Sequence, residues 1–217
     1  MRTVTITKHY HDLDTKNGGL ALELPFAMSP IMEYKAVLVK ETDTQIIIGY
    51  LADDEDCGNP LEDDGYLGHI YEARRNGPTL DEFNHAAARG DYEGQDPDPF
   101  VVMLDYHEHG QCQYSLAGEG MQCRFDTVKG NVCWVPSECL RDDLVDLPAD
   151  EAQTKAREYA KQAAETYTNW RNGECYGVVT AIYDLDGDLQ SQDDCWGFIG
   201  ADYAYNSLKS DYFPSEE

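Results

Sequence analysis

The sequence predicts an α+β fold, a mainly antiparallel sheet built from hairpins with one long helix (about 151–171) packed on it. Three observations carry that prediction. Short β-rich runs recur along the chain, among them Thr3–Tyr10, Gln45–Leu51, Phe100–Tyr106 and Cys175–Leu185. Only one segment has a sustained helical period: Ala152, Ala156, Tyr159, Ala163, Tyr167 and Trp170 recur at spacings of three and four and make one apolar face. The connections between several runs are short and turn-like, which favours hairpins over crossovers.

The elements follow in order. Thr3–Tyr10 alternates and is β-branched, so it reads as a strand, and Asn17-Gly18-Gly19 reads as a turn. Tyr34–Lys40 and Gln45–Leu51 form a hairpin through Glu41–Thr44. Asp53–Asp64 is an acidic loop, Leu80–Arg89 a short helix, and Gly90–Pro99 a polar excursion. Phe100–Tyr106 and Cys112–Leu116 make a second hairpin around His107-Glu108-His109-Gly110. Asn131–Val135 is a strand stopped by Pro136, and Ser137 caps a short helix after it. Asp150 and Gln153 fit a capping box for the long helix, which Asn172-Gly173 ends. Cys175–Leu185 and Asp188–Gln192 flank the hairpin turn Asp186-Gly187. The chain is expected to be one acidic α+β domain, 1–217, or an N-terminal subdomain (1–98) followed by a C-terminal one (99–217).

Composition bounds the function. The 42 acids against 16 bases give a formal net charge of −26. Counterion release needs Lys and Arg, so direct binding to nucleic acid or to an anionic membrane is excluded as an expectation. The fitting partners are cations: a metal ion or a basic protein surface. The same charge also suits simple solubility or a salty milieu. A compact chain of this length is about 44 Å across. If all the net charge lay on one face, its linear density would be about that of a duplex. The 15 tyrosines and 3 tryptophans argue for a folded chain. No signal peptide or membrane-spanning run is visible, and the seven cysteines lack a CxxC pair, so reduced thiols in a cytoplasm are expected.

At this point the residues resemble a known family. The stretch with Tyr176, Gly177, Asp186, Gly187, Cys195, Trp196, Gly197, Phe198, Gly200, Asp202 and Tyr203 resembles the ending of a family of small proteins from phages, plasmids and integrative elements. That ending is a helix, a Y-G strand, a D-G hairpin and a C-W-G-F-x-G-x-D-Y block. The segment DEDCGNPLEDDGYLGHIYEARR is similar to the family's acidic N-P block, and CRFDTVKGNVCWV to its aspartate-and-glycine block. The blocks span roughly residues 53–205. Phe125 and Thr127 stand where the family has Trp and Ser beside its Asp, so no site is carried over on them. The resemblance implies a mobile-element origin and supplies no activity. Mobile elements often encode small acidic proteins that block restriction or CRISPR systems by imitating nucleic acid.

Several constellations invite chemistry. Asp53, Asp54, Glu55, Asp56, Glu62, Asp63 and Asp64 could hold a hard cation, form a solvated loop, or meet Arg and Lys of a partner. Asp184, Asp186 and Asp188 lack the calcium-loop spacing: counted from Asp184, Gly187 is fourth and Cys195 twelfth, so a hairpin is the better reading. His107, His109 and Cys112, with Cys123 across a hairpin, form the most zinc-like group, yet no second paired motif accompanies them. Trp196, Phe198 and Tyr203 read as core packing at a strand-to-loop corner. No nucleophile motif, P-loop, dinucleotide fingerprint or HExxH is present, so no catalytic residue and no cofactor are expected.

The leading expectation is therefore a non-catalytic inhibitor or interaction protein. Its acidic surface would occupy a basic, nucleic-acid-binding groove of a host defence complex. The partner-binding residues would be Asp53, Asp54, Glu55, Asp56, Glu62, Asp63, Asp64, Asp184, Asp186, Asp188, Asp193 and Asp194, with further acids in Asp91–Asp98 and Asp142–Glu151. Two rivals stand beside it: a metal-dependent hydrolase or nucleotide-modifying enzyme, and an acidic accessory protein of a halophilic host.

Overall fold

The computed structural model describes residues 4–7, 20–62, 66–72 and 99–213. Among the described residues, ten strands, mostly antiparallel, and three α-helices make an α+β protein. The chain divides into two compact units, one made of 1–57 with 173–217 and the other of 58–172. The division differs from the 1–98 and 99–217 expected, because the second unit is an insertion between two neighbouring strands of the first. A single sequential cut cannot express that. No helix among the described residues is long and apolar enough to cross a membrane.

The first unit is built on a four-stranded antiparallel sheet. Strands β1 (Val4–Thr7) and β2 (Leu20–Glu23) pair in parallel beside it. The predicted hairpin is β3 (Leu38–Glu41) with β4 (Gln45–Asp53). Thr42 Oγ1 closes its turn by accepting the Gln45 N–H at 3.1 Å. Strand β4 pairs with β9 (Cys175–Asp184), which pairs with β10 (Leu189–Ile199). The spatial order is β10-β9-β4-β3. The apolar runs Ile46–Ala52 and Cys175–Ala181 are explained by burial of β4 and β9 on both faces. On one face, Tyr50 Oη donates to the Phe26 carbonyl at 3.0 Å and Tyr183 Oη to the Glu23 carbonyl at 2.7 Å, so segment 22–32 seals it. On the other face lies α3 (Ala201–Tyr212). A Cβ on Gly49 would come within 2.9 Å of Leu208, so glycine lets the helix approach closely. Burying Leu208 fully is worth about 1.5–3 kcal/mol.

The second unit has the sheet order β5-β8-β6-β7, all antiparallel, from β5 (His69–Glu72), β6 (Val102–His109), β7 (Gln111–Leu116) and β8 (Thr127–Val135). Gly110, at φ 83°, turns β6 into β7. Helix α1 (Glu138–Val145) starts as expected at Ser137, whose Oγ accepts the Leu140 N–H. Helix α2 (Ala149–Arg171) is the long predicted helix. Its alanines 152, 156, 160, 163 and 164 are buried. The Asp150/Gln153 capping box does not form. Pro148 is the N-cap and its carbonyl accepts the Ala152 N–H, which leaves Asp150 inside the first turn. The turn at 17–19, the helix at Leu80–Arg89 and the excursion at 90–98 lie outside the described residues.

One edge of this sheet is closed by α2. Asn172 Oδ1 accepts the Cys112 N–H and Asn172 Nδ2 donates to the Cys112 carbonyl, both at 2.9 Å. Thr168 Oγ1 accepts the Tyr114 N–H at 2.9 Å. Backbone groups that an edge strand would otherwise present are thus satisfied by helix side chains.

Candidate functional site

Two of the predicted acidic segments meet in the first unit. Strand β4 ends at Asp53 and the chain turns through Asp54–Asp56. The Asp54 N–H donates to the Cys175 carbonyl at 2.9 Å. Its Oδ1 accepts the Asp56 N–H at 3.2 Å, and its Oδ2 accepts the Gly197 N–H at 2.9 Å, 143 residues away. Gly197 sits at φ 87° where β10 slips register against β9. Asp54 therefore ties the exit of β4 to the bulge of β10.

The other end of β9–β10 carries Asp184, Asp186 and Asp188. Asp184 anchors the hairpin, as expected for a turn and not for a calcium loop. Its Oδ1 accepts the N–H groups of Asp186, Gly187 and Asp188 at 3.0, 2.9 and 3.0 Å, and its Oδ2 accepts Gln190 Nε2 at 2.8 Å. These bonds, the one from Asp188 foremost, hold its carboxyl below the usual aspartate range. Asp186 and Asp188 are exposed.

Asp193 and Asp194 lie between the two ends, on β10. Asp194 Oδ2 accepts the Trp196 indole N–H at 2.7 Å, and its Oδ1 accepts Gln192 Nε2 at 3.3 Å. Trp196 lies over Gly177, where a Cβ would come within 2.4 Å of the indole, and Phe26 meets it edge-on at 5.1 Å. The expectation of a buried aromatic corner needs correction. Trp196 is 39% exposed and Tyr203 66%, because β10 is an edge strand and α3 begins right after it. Helix α3 itself has no counterpart in the sequence reading.

The sign of this surface is uniform. Gln45–Cys57 and Glu174–Ile199 together hold ten acids and no Lys, Arg or His. The described bases of this unit lie elsewhere: Lys40 on β3, Lys209 on α3, and Lys35, which is joined to Asp202.

Other predicted residues do not join this set. Glu62 belongs to the second unit, where Asn59 Nδ2 donates to it at 3.4 Å, so the acidic loop is divided between the units. Asp63 and Asp64 lie outside the described residues. The His107, His109 and Cys112 group does not assemble. Cys112 is paired with Glu108, so alternation sends its side chain to the opposite face from both histidines. His107 Nδ1 lies 3.2 Å from Thr127 Oγ1, and Cys123 Sγ donates to Asp126 Oδ2 at 3.1 Å. Among the described residues, no three His, Cys, Asp or Glu side chains are placed to share a metal ion.

Two buried thiols are also poor nucleophiles. Burial pushes the Cys112 thiol up, and burial followed by contact with Cys57 pushes Cys175 up to about 12. Neither has the thiolate character a nucleophile needs at neutral pH.

Gly177 and Trp196 are the site residues whose roles the sequence hides. A glycine inside an otherwise apolar strand is the signal that something packs on the backbone there.

No protein-family model, curated protein or solved structure matches this chain.

Proposed function

We propose that this protein is a non-catalytic interaction protein of a mobile genetic element, an acidic nucleic-acid mimic that occupies a basic groove on a host defence complex of the anti-restriction or anti-CRISPR type. The observation that carries the reading is the base-free acidic margin of the first unit. Strand β4 spans nine residues, about 27 Å at the usual rise. The ten acids of the two segments are spread from one end of it to the other. That averages one carboxylate per about 3 Å, near the ~3.4 Å per charge of a single nucleic-acid strand, with Asp53–Asp56 and Glu174 at one end, Asp184, Asp186 and Asp188 at the other, and Asp193 and Asp194 between. The resemblance to phage, plasmid and integrative-element proteins supports the setting.

Charge of one sign steers encounter with a basic groove, and a desolvated centre fixes the register. Trp196, half-exposed and held by Asp194 and Gly177, is the aromatic group placed to serve as that centre. The test is competition: the protein is titrated against DNA bound to a purified restriction enzyme or RNA-guided surveillance complex. Displacement that weakens steeply with added salt is expected. Salt-insensitive binding, or no displacement at low salt, contradicts the mimic.

A further inference from the structure

We propose that Cys57 and Cys175 are an oxidation site, where hydrogen peroxide drives a disulfide that clasps the acidic turn Asp54–Asp56 to the start of β9. The pairing rests on chain geometry and stands apart from the acidic-margin reading above. Strand β4 runs antiparallel to β9 as far as Asp53, which is paired with Tyr176. The Asp54 N–H extends that ladder by donating to the Cys175 carbonyl at 2.9 Å. The chain then turns, with Asp54 Oδ1 accepting the Asp56 N–H at 3.2 Å. The turn carries Cys57 back toward Cys175, and the two side chains, both thiols, are in contact. Both residues belong to the first unit.

The two thiols are unequal, and this sets the order of events. Cys57 is half-buried and Cys175 is buried. Burial first, and the Cys57 thiol second, push Cys175 up to about 12. Cys175 therefore keeps its proton and is shielded from a dissolved oxidant, so Cys57 reacts first. The Cys57 sulfur attacks one peroxide oxygen and the O–O bond breaks. The departing hydroxide takes the Cys57 proton and leaves as water, and Cys57 becomes a sulfenic acid. The Cys175 sulfur then attacks the Cys57 sulfur. The S–S bond forms, the S–O bond breaks, and the hydroxide takes the Cys175 proton as a second water. Each sulfur gives up one electron, and the peroxide accepts both. Contact offsets the tightly held Cys175 proton in this step, because it raises the effective concentration of the attacking sulfur. The product holds the acidic turn at two points, the Asp54 backbone bond and the disulfide.

The experiment treats the folded, full-length protein with stoichiometric hydrogen peroxide and blocks the remaining thiols with iodoacetamide. Peptides are then mapped by mass after cleavage at Tyr176 and Tyr183, which separates Cys175 from Cys195. The expected product is a Cys57–Cys175 linked pair, about 2 Da lighter than its two thiol peptides together, which dithiothreitol takes apart. Cys57→Ser is expected to abolish the product and to leave Cys175 a thiol under the same treatment. In the oxidised protein, the Glu55, Asp56 and Cys57 amides are expected to exchange with solvent deuterium about tenfold more slowly. Cys57 recovered as a sulfinic acid, about 32 Da heavier, or joined to a different cysteine, overturns the pairing. Cys57 recovered only as the blocked thiol overturns the oxidation site. Unchanged exchange at the three amides with the disulfide formed overturns the clasp. None of these results bears on displacement of DNA, so the acidic-margin reading stands or falls separately.

Discussion

The two four-stranded sheets of this protein end in edges of opposite kinds. Strand β7 is closed by α2, whose Asn172 and Thr168 side chains take the backbone groups of Cys112 and Tyr114. Strand β10, among the described residues, pairs with β9 alone, has bulges at both ends and carries two acids, Asp193 and Asp194, at its centre. The charge differs in the same way. Helix α2 carries four acids and four bases, Asp150, Glu151, Glu158 and Glu165 against Lys155, Arg157, Lys161 and Arg171, so its own charge cancels. The β4, β9 and β10 segments carry ten acids and no base. Net charge of the whole chain hides this contrast: helix α2 interleaves its charges while the β4, β9 and β10 segments concentrate one sign. Concentration is what a binding surface needs, and interleaving is what a solvated helix needs.

Removing the cover from the closed edge has the largest expected effect. Asn172→Ala leaves the Cys112 N–H and C=O without their side-chain partners and should cost about 2–3 kcal/mol. Chemical denaturation followed by far-UV circular dichroism measures it. Thr168→Val removes one such bond and should cost about 1 kcal/mol. The β9–β10 packing is probed by Gly177→Ala. The added methyl meets the Trp196 ring, so the indole must lift off the sheet at a cost of about 1–2 kcal/mol. Tryptophan emission should move to the red. A change in stability with no change in Trp196 exposure would contradict the packing described.

The smallest effect concerns pH. Asp184 is held below the ordinary aspartate range by the hydrogen bonds its ionised carboxylate accepts. The stability it lends the β9–β10 hairpin is complete above the unfolded aspartate value, about 3.9. It is lost as pH falls through the lower folded value. Amide resonances of Asp186, Gly187 and Asp188 should hold steady from neutral pH to about 4 and move only below it. Movement centred near pH 6 would contradict this. Asp184→Asn should remove the transition.

Much of this architecture was legible beforehand, and the failures have physical reasons. The hairpins at 38–53 and 175–199, the Ser137 cap and the long helix follow from local turn chemistry and periodicity. The interleaved units were not legible, because β4 and β9 are adjacent in space while their paired residues are 123 to 139 positions apart, as in Asp53 opposite Tyr176 and Gln45 opposite Asp184. Helix α3 was hidden by Trp196-Gly197-Phe198-Ile199-Gly200, whose glycines read as a loop. Gly197 is instead a bulge within β10, and Gly200, at φ 92°, is the N-cap of α3. For the site, residue types were legible and grouping was not. Asp54 reaches Gly197 only because two strands bring them together, and Cys112 leaves its histidines because strand alternation turns it away.

The most direct test compares charge reversal in the two regions. One variant carries Asp53→Lys, Glu55→Lys, Asp56→Lys, Asp186→Lys and Asp188→Lys, all exposed positions whose side chains make no described hydrogen bond. The other carries Asp150→Lys, Glu151→Lys, Glu158→Lys and Glu165→Lys on α2. Both are titrated, at the same salt, into a purified DNA-bound restriction or surveillance complex. The acidic-margin account predicts that the first variant loses displacement of DNA by about a hundredfold or more and the second by no more than about threefold. Equal losses in both, or retained displacement in the first, would contradict it.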